Sequence, residues 1–182
     1  MTGRDARLVY LIGPSGAGKD TVLRWLSSHQ PQALRLHVAR RTITRPAGDA
    51  HESHEAVTPA EFVRLLRTGA FALHWEANGL RYGIRRGELL ALDGGSSVII
   101  NGSRAALYEA RRRYPELFVV QITAGIELLR QRLLMRGREQ PEVIESRLSR
   151  TALLPMVSVD AVIHNEGTPQ QAAMDLIALL GP

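Results

Sequence analysis

No cysteine occurs in the chain, which excludes a disulfide scaffold, a Cys-based zinc site and a thiol nucleophile. Aromatic residues make up only 5% of its 182 residues, and neither an RNA-binding aromatic motif nor a helix-turn-helix pattern is present. No apolar run approaches the roughly 18 residues that a membrane-spanning helix needs. The segment Met1 to Arg7 has no signal-peptide core, so a cytoplasmic protein is expected. Lysine is almost missing: of 23 basic residues, Lys19 alone is lysine and every other is arginine. From Thr151 onward neither type occurs.

What is present suits one globular domain over residues 1–182. The hydrophobic share is 45%, enough for a sizeable core, and no linker, repeat or low-complexity stretch divides the chain. The net charge of +5 and the sequence pI near 10.4 invite a nucleic-acid reading. The arginines gather in local clusters instead: Arg40, Arg41 and Arg45; Arg81, Arg85 and Arg86; Arg111 to Arg113; and Arg130 to Arg150. Several small polyanion sites fit that distribution better than a strand of nucleic acid or a membrane surface.

Hydrophobic patterning alternates strands with helices. Leu8–Ile12 reads as a buried parallel strand, followed by a helix from Thr21, a strand over 34–38 and a loop over 44–57. Thr58-Pro59-Ala60-Glu61 is a helix start of capping-box type. The segments 71–75 and 80–82 form a hairpin around Glu76-Ala77-Asn78-Gly79. A short helix at 89–92 and strands at 98–100, 117–122 and 161–164 follow. They are interleaved with helices at 104–114, 127–135 (Gly137 as C-cap), 141–154 and, after the Thr168-Pro169-Gln170-Gln171 start, up to Leu180. The expected class is α/β: a central, mostly parallel sheet flanked by helices, with residues of about 40–85 as an inserted lobe.

Gly13-Pro14-Ser15-Gly16-Ala17-Gly18-Lys19 sits between the first strand and the first helix. This is G-x-x-x-x-G-K in the context that gives it meaning. Glycines let consecutive backbone N–H groups wrap an anion, the helix N-terminus adds positive potential, and lysine supplies a compact charge. In a chain whose other cations are all arginine, a lysine at this one position argues against accident, because the planar guanidinium is a poor substitute. Gly13 to Thr21 are therefore expected to cradle nucleotide phosphates. Position 20 carries Asp where Ser or Thr is usual. Asp20 or Thr21 is expected to help hold Mg²⁺.

The cradle, Arg45-Pro46, the Thr58–Phe62 helix start, Tyr82-Gly83 and Arg132, Arg136 and Arg147 together resemble the guanylate kinase family along almost the whole chain. One branch is more similar still. Thr42-Ile43-Thr44-Arg45-Pro46, Trp75 with Ala77 to Gly83, Asn101-Gly102-Ser103-Arg104 and Arg136-Gly137-Arg138-Glu139 resemble the ribose 1,5-bisphosphate phosphokinases. That resemblance implies a P-loop kinase fold with an inserted substrate-binding lobe and a helical lid of about 132–150. It further implies phosphoryl transfer from ATP, with Mg²⁺, to ribose 1,5-bisphosphate in phosphonate catabolism, giving 5-phosphoribosyl 1-diphosphate and ADP.

Departures from the guanylate kinase pattern point the same way. Its guanine-reading Glu falls on Leu73, its lobe Tyr on His54, the first Tyr of Tyr-Tyr-Gly on Arg81 and its second phosphate Arg on Gly48. Its acidic pair after the third core strand falls on Asn101 and Ser103. Base-reading acceptors are gone and a cation has arrived.

On this resemblance Lys19, Arg132, Arg136 and Arg147 serve the transferring phosphoryl group. Arg45, Arg81 and Tyr82 grip the acceptor's phosphates, and Asn101 and Ser103 meet ribose hydroxyls. Arg104 and Arg41 are further acceptor candidates, and His54 and His74 candidates for lining the same site. The acceptor would be an already ionised phosphate oxygen, so no general base is required. Arg130 and Arg150 are expected to pair with nearby glutamates, and His37, His51 and His164 to be structural or surface residues. A nucleoside monophosphate kinase and a non-enzymatic guanylate kinase-like binding module remain open as rival readings.

Overall fold

The computed structural model describes residues 6–30, 34–46, 54–137, 140–153 and 157–181, without the side chains of residues 147 and 150–153. Gly48, His51, Arg138 and Glu139, and the side chains of Arg147 and Arg150, lie outside the described residues.

In chain order the elements are β1 (Leu8–Ile12), α1 (Lys19–His29), β2 (Leu36–Val38), β3 (Arg41–Ile43), β4 (Glu55–Ala56), α2 (Pro59–Arg67), β5 (Phe71–Ala77) and β6 (Leu80–Arg85). Then come α3 (Leu90–Asp93), β7 (Ser97–Asn101), α4 (Leu107–Arg113), β8 (Phe118–Thr123), α5 (Ile126–Arg136), α6 (Pro141–Leu153), β9 (Ala161–His164) and α7 (Pro169–Leu180). Short 3₁₀ turns lead into α3 and α4.

Five strands form a parallel sheet in the order β2-β7-β1-β8-β9. Every residue of β1 is buried, as its unbroken apolar run requires of a central strand covered on both faces. Strand alternation sends Val9 and Leu11 into a core shared with α1, α5, α6 and α7. Leu8, Tyr10 and Ile12 enter a second core with Leu107 and Ala110 of α4 and with Leu73, Trp75 and Ile84 of the lobe. The lobe is thus packed onto one face of the sheet by its own hairpin.

That lobe is a four-stranded sheet in the order β4-β3-β6-β5, extended by α2. The hairpin turn is tighter than the sequence suggests. Only Asn78 and Gly79 lie between the strands, with φ of 51° and 73°, the twist that a two-residue hairpin demands. Strands β3 and β4, by contrast, are not apparent from patterning, and β4 falls in the expected 44–57 loop. Their residues are satisfied by polar contacts rather than by apolar alternation. Buried Thr42 donates to Glu55 Oε2 at 2.6 Å, and Arg85 donates to both Glu55 oxygens at 2.9 and 2.6 Å. Arg85, against the opposing effect of burial and with help from Thr42, holds the Glu55 carboxyl below its usual range.

Both Thr-Pro helix starts form. Thr168 completes a capping box with Gln171. Thr58 caps Glu61 N–H, but the Glu61 carboxylate turns forward to Arg64 instead of back to the cap. A guanidinium one turn along outcompetes the backbone N–H for the carboxylate. Gly137, with φ 61°, ends α5 as expected.

Tyr10 ties the sheet to the loop after β7. Its hydroxyl accepts from Ser103 N–H at 3.1 Å and donates to Ser103 O at 3.2 Å. Burial pushes this phenol up to about 12, so it stays protonated. Gly102 lies flat on the ring: a Cβ there would stand 2.1 Å from Tyr10 Cζ. Gly102→Ala is expected to cost about 1–3 kcal/mol by overpacking. Urea denaturation measures this, and an unchanged midpoint would show that the ring can move aside.

Candidate active site

The carboxyl ends of β1 and β7 open onto a cleft of about 620 Å³ between the cradle and the lobe. On the cradle side Gly13, Gly16 and Gly18 have φ of 154°, 85° and 85°. At Gly13 a Cβ would meet the Ile122 carbonyl oxygen at 2.0 Å, so glycine is required both for the turn and for its seat against β8. Gly18 is the N-cap of α1 and gives no side-chain cap, which leaves the first N–H groups of the helix to an anion. Pro14, Ser15, Lys19 and Asp20 also line the cleft, while Ala17 is buried behind it and Thr21 is not part of the lining.

Lys19 is partly buried as a residue, but its ammonium is the enclosed end. It donates to Gly13 O at 2.7 Å and Pro14 O at 3.2 Å. Loss of solvation, opposed by Asp20 and reinforced by Arg41, Arg136 and Arg104, brings its pKa down to about 8. With Arg45, five described side-chain cations therefore line this space.

On the lobe side the cleft is lined by Arg41, Arg45, Trp75 and Tyr82. Trp75 and Tyr82 stack with ring planes 3° apart and centroids at 5.6 Å, and the Arg41 guanidinium lies over the Tyr82 ring. Asn101, Ser103 and Arg104 form the floor after β7. Asn101 Nδ2 donates to Asp20 Oδ1 at 2.6 Å. Its Oδ1 is buried without a partner among the described residues, an acceptor whose desolvation a ligand hydroxyl would repay.

Not every expected residue is gathered here. Arg81 points away: its Nε donates to Glu76 Oε1 at 2.8 Å, and it lines a separate hollow with Phe62, Leu66 and His74. The reason is the period of two along β6, which sends Tyr82 into the cleft and its neighbour Arg81 out. Arg41 of β3 supplies the cation instead. His54 is buried behind the lobe, bonded to Arg45 O at 3.4 Å, and His74 is in the outer hollow; neither lines the cleft. Ser103 lines it, and its side chain gives no helix cap.

From α5, Arg136 reaches the cleft. Arg132 packs beside Gly18, with Nη1 buried and unpartnered among the described residues. Arg130 is a structural clamp, bonded to Glu127 and to Glu145 of α6.

The described lining offers Mg²⁺ no cage of protein oxygens, so a cation there would rest largely on water and polyphosphate. Asp20 is the only carboxylate on the described cleft wall. Its Oδ1 already accepts from Arg41 Nη2 at 3.0 Å and from Asn101, and Thr21 is outside the lining. No group of three or more His, Cys, Asp or Glu suited to a metal occurs among the described residues.

Asn165, just past β9, was not legible as a site residue. It is buried, and its Nδ2 donates to Ala17 O at 2.8 Å, bracing the cradle from behind. A single Asn in a strand-end sequence carries no motif that would reveal this.

No protein-family model matches the chain. Among curated proteins it is 47% identical to ribose 1,5-bisphosphate phosphokinase PhnN of Pseudomonas paraeruginosa, covering 100% of this chain and 97% of that one. It is 46% identical to the protein of the same name from Azotobacter vinelandii, covering 96% and 95%. The chain belongs to the ribose 1,5-bisphosphate phosphokinase family. Among solved structures it resembles guanylate kinase from Anaplasma phagocytophilum, with a TM-score of 0.70 and 20% identity over 96% of this chain and 84% of that one. This second likeness establishes the shared α/β kinase fold alone. Among the described residues no helix is long and apolar enough to cross a membrane.

Asn165→Ala removes the buried donor to Ala17 O and is expected to lower unfolding free energy by about 1–3 kcal/mol. Thermal and urea melts of the variant measure it, and wild-type stability would mean that the cradle needs no brace.

Proposed function

We propose that this protein transfers the γ-phosphoryl group of ATP to the 1-phosphate of ribose 1,5-bisphosphate, forming 5-phosphoribosyl 1-diphosphate and ADP. An oxygen of the 1-phosphate attacks the γ-phosphorus, a new P–O bond forms, and the bond to the β-phosphate oxygen breaks. The attacking oxygen is already ionised at neutral pH, so the step requires no general base. Catalysis then consists of in-line positioning and charge neutralisation.

One observation carries the reading beyond family membership. The acceptor side of the cleft offers Arg41, Arg45 and Arg104, and its single described carboxylate, Asp20, is already paired. A doubly phosphorylated sugar matches that balance. A purine does not, because Leu73, where guanylate kinases carry their base reader, is packed into the apolar core.

In this reading the Gly13–Thr21 amides and Lys19 hold the ATP phosphates. Arg41 and Arg45, with Tyr82, receive the acceptor's phosphates. Asn101 Oδ1 accepts from a ribose hydroxyl, and Ser103 and Arg104 complete that wall. Arg132, Arg136 and Arg147 belong to a lid of about 132–150 that neutralises the transferring group and excludes water. Mg²⁺ supplied with ATP would neutralise part of the polyphosphate charge beside these residues.

The direct test follows ADP release with ATP, Mg²⁺ and either ribose 1,5-bisphosphate or GMP. Turnover of the bisphosphate is expected, and turnover of GMP alone would overturn the proposal. A second expectation concerns pH. Lys19 loses its proton as pH rises through about 8 in the free protein, so kcat/KM for ATP should decline above that value. At saturating ATP the decline in kcat should move to higher pH, since bound polyphosphate favours the ammonium. A profile flat to pH 10 would dissociate Lys19 from phosphate binding.

A further inference from the structure

Position 20 closes the cradle motif, where a hydroxyl residue usually meets the metal. Here the Asp20 carboxylate is engaged by protein donors. Its Oδ1 accepts from Arg41 Nη2 at 3.0 Å and from Asn101 Nδ2 at 2.6 Å, while Arg41 Nη1 donates to Asn101 O at 3.4 Å. The Tyr82 ring lies against the same guanidinium, 5.6 Å from its centroid. Three separate parts of the fold thus meet on one cation: the cradle through Asp20, the end of β7 through Asn101, and the lobe hairpin through Tyr82. The Arg41 side chain is only 12% exposed, yet it lines the cleft.

We propose that Asp20 is a positioning residue that sets Arg41 for an acceptor phosphate and so tunes this site to a doubly phosphorylated acceptor. The inference rests on the function proposed above. Order and charge both favour this role. A long arginine side chain surrenders rotamer entropy when it is fixed. A carboxylate, a backbone carbonyl and an aromatic face bear that cost before the ligand arrives. The anchor also offsets repulsion from neighbouring cations, which would otherwise push Arg41 out of the cleft. A neutral hydroxyl at position 20 does neither. The same arrangement explains why the motif's last position is acidic although no metal cage surrounds it.

The contact itself supplies the test. Asp20 and Asn101 are close isosteres in direct hydrogen bond, so exchanging them returns a carboxylate to the same few ångströms of space. Asp20→Asn is expected to raise KM for ribose 1,5-bisphosphate about tenfold, with KM for ATP changed less than about twofold. The Mg²⁺ concentration giving half-maximal rate should not move. The double variant Asp20→Asn/Asn101→Asp should recover acceptor KM to within about threefold of wild type. A loss expressed in KM for ATP or in the Mg²⁺ requirement would overturn the proposal in favour of a metal-holding role. So would a double variant no better than Asp20→Asn.

If the wild-type protein does not turn over ribose 1,5-bisphosphate, the functional reading fails separately. Arg41 positioning is then read by binding. With ADP filling the cradle, ribose 5-phosphate is titrated while Trp75 fluorescence is followed, Trp25 being replaced by Phe throughout. Weaker binding in Asp20→Asn and recovery in the exchange variant support the inference. Equal binding in all forms overturns it.

Discussion

The organising constraint of this molecule is the gathering of positive charge. Arg41, Arg104 and Arg136 all act on the Lys19 ammonium across a single cleft, with Asp20 as the one described carboxylate on its wall. Such a cluster opposes folding, because like charges in a partly desolvated space repel strongly. It persists because each cation is delivered by a different element of a rigid scaffold. The cradle is anchored by Gly13 against β8 and by Asn165 behind Ala17. The loop after β7 is anchored by Tyr10. The lobe is anchored by its apolar hairpin face on the sheet.

This arrangement also explains the economy of the chemistry. A phosphate nucleophile needs no proton removed, and among the described residues the cleft wall carries no histidine and, as its one carboxylate, the paired Asp20. The protein's contribution is preorganised charge, which is most effective where water is excluded and where the donors need not move as the reaction proceeds. The paired Asp20 moderates the cluster and directs part of it. The Glu145 carboxylate on Arg130 fastens α5 to α6, with Glu127 of α5 holding the same guanidinium, and so supports the helix that carries Arg132 and Arg136.

Much of this was readable from local signals. The cradle, the five core strands, the Thr-Pro helix starts and the hairpin all announce themselves through patterns a few residues long. Strands β3 and β4 did not. Their stability comes from Thr42, Glu55 and Arg85, which are far apart in the chain and polar, so no hydrophobic period marks them. Asn165 was invisible for a similar reason: one amide placed behind the cradle by the pairing of β1, β8 and β9. The capping box at Thr58 was half right, since the Arg64 guanidinium competes for Glu61 at close range.

The contrast between Arg41 and Arg81 marks where local information ends. Motif spacing was sufficient to place the chain among kinases and to raise the expectation of a phosphate-binding turn with a surplus of cations opposite it. It could not say which arginine faces inward. Side chains alternate across a strand, so a choice between two cations of the lobe depends on register and on which face of the hairpin packs against the core. Leu73, Trp75 and Ile84 settle that face by burial, and Tyr82 and Arg41 follow it into the cleft while Arg81 is left outside with Glu76. Long-range packing made that selection, because the free energy that orients the hairpin is apolar burial and not the charges it carries.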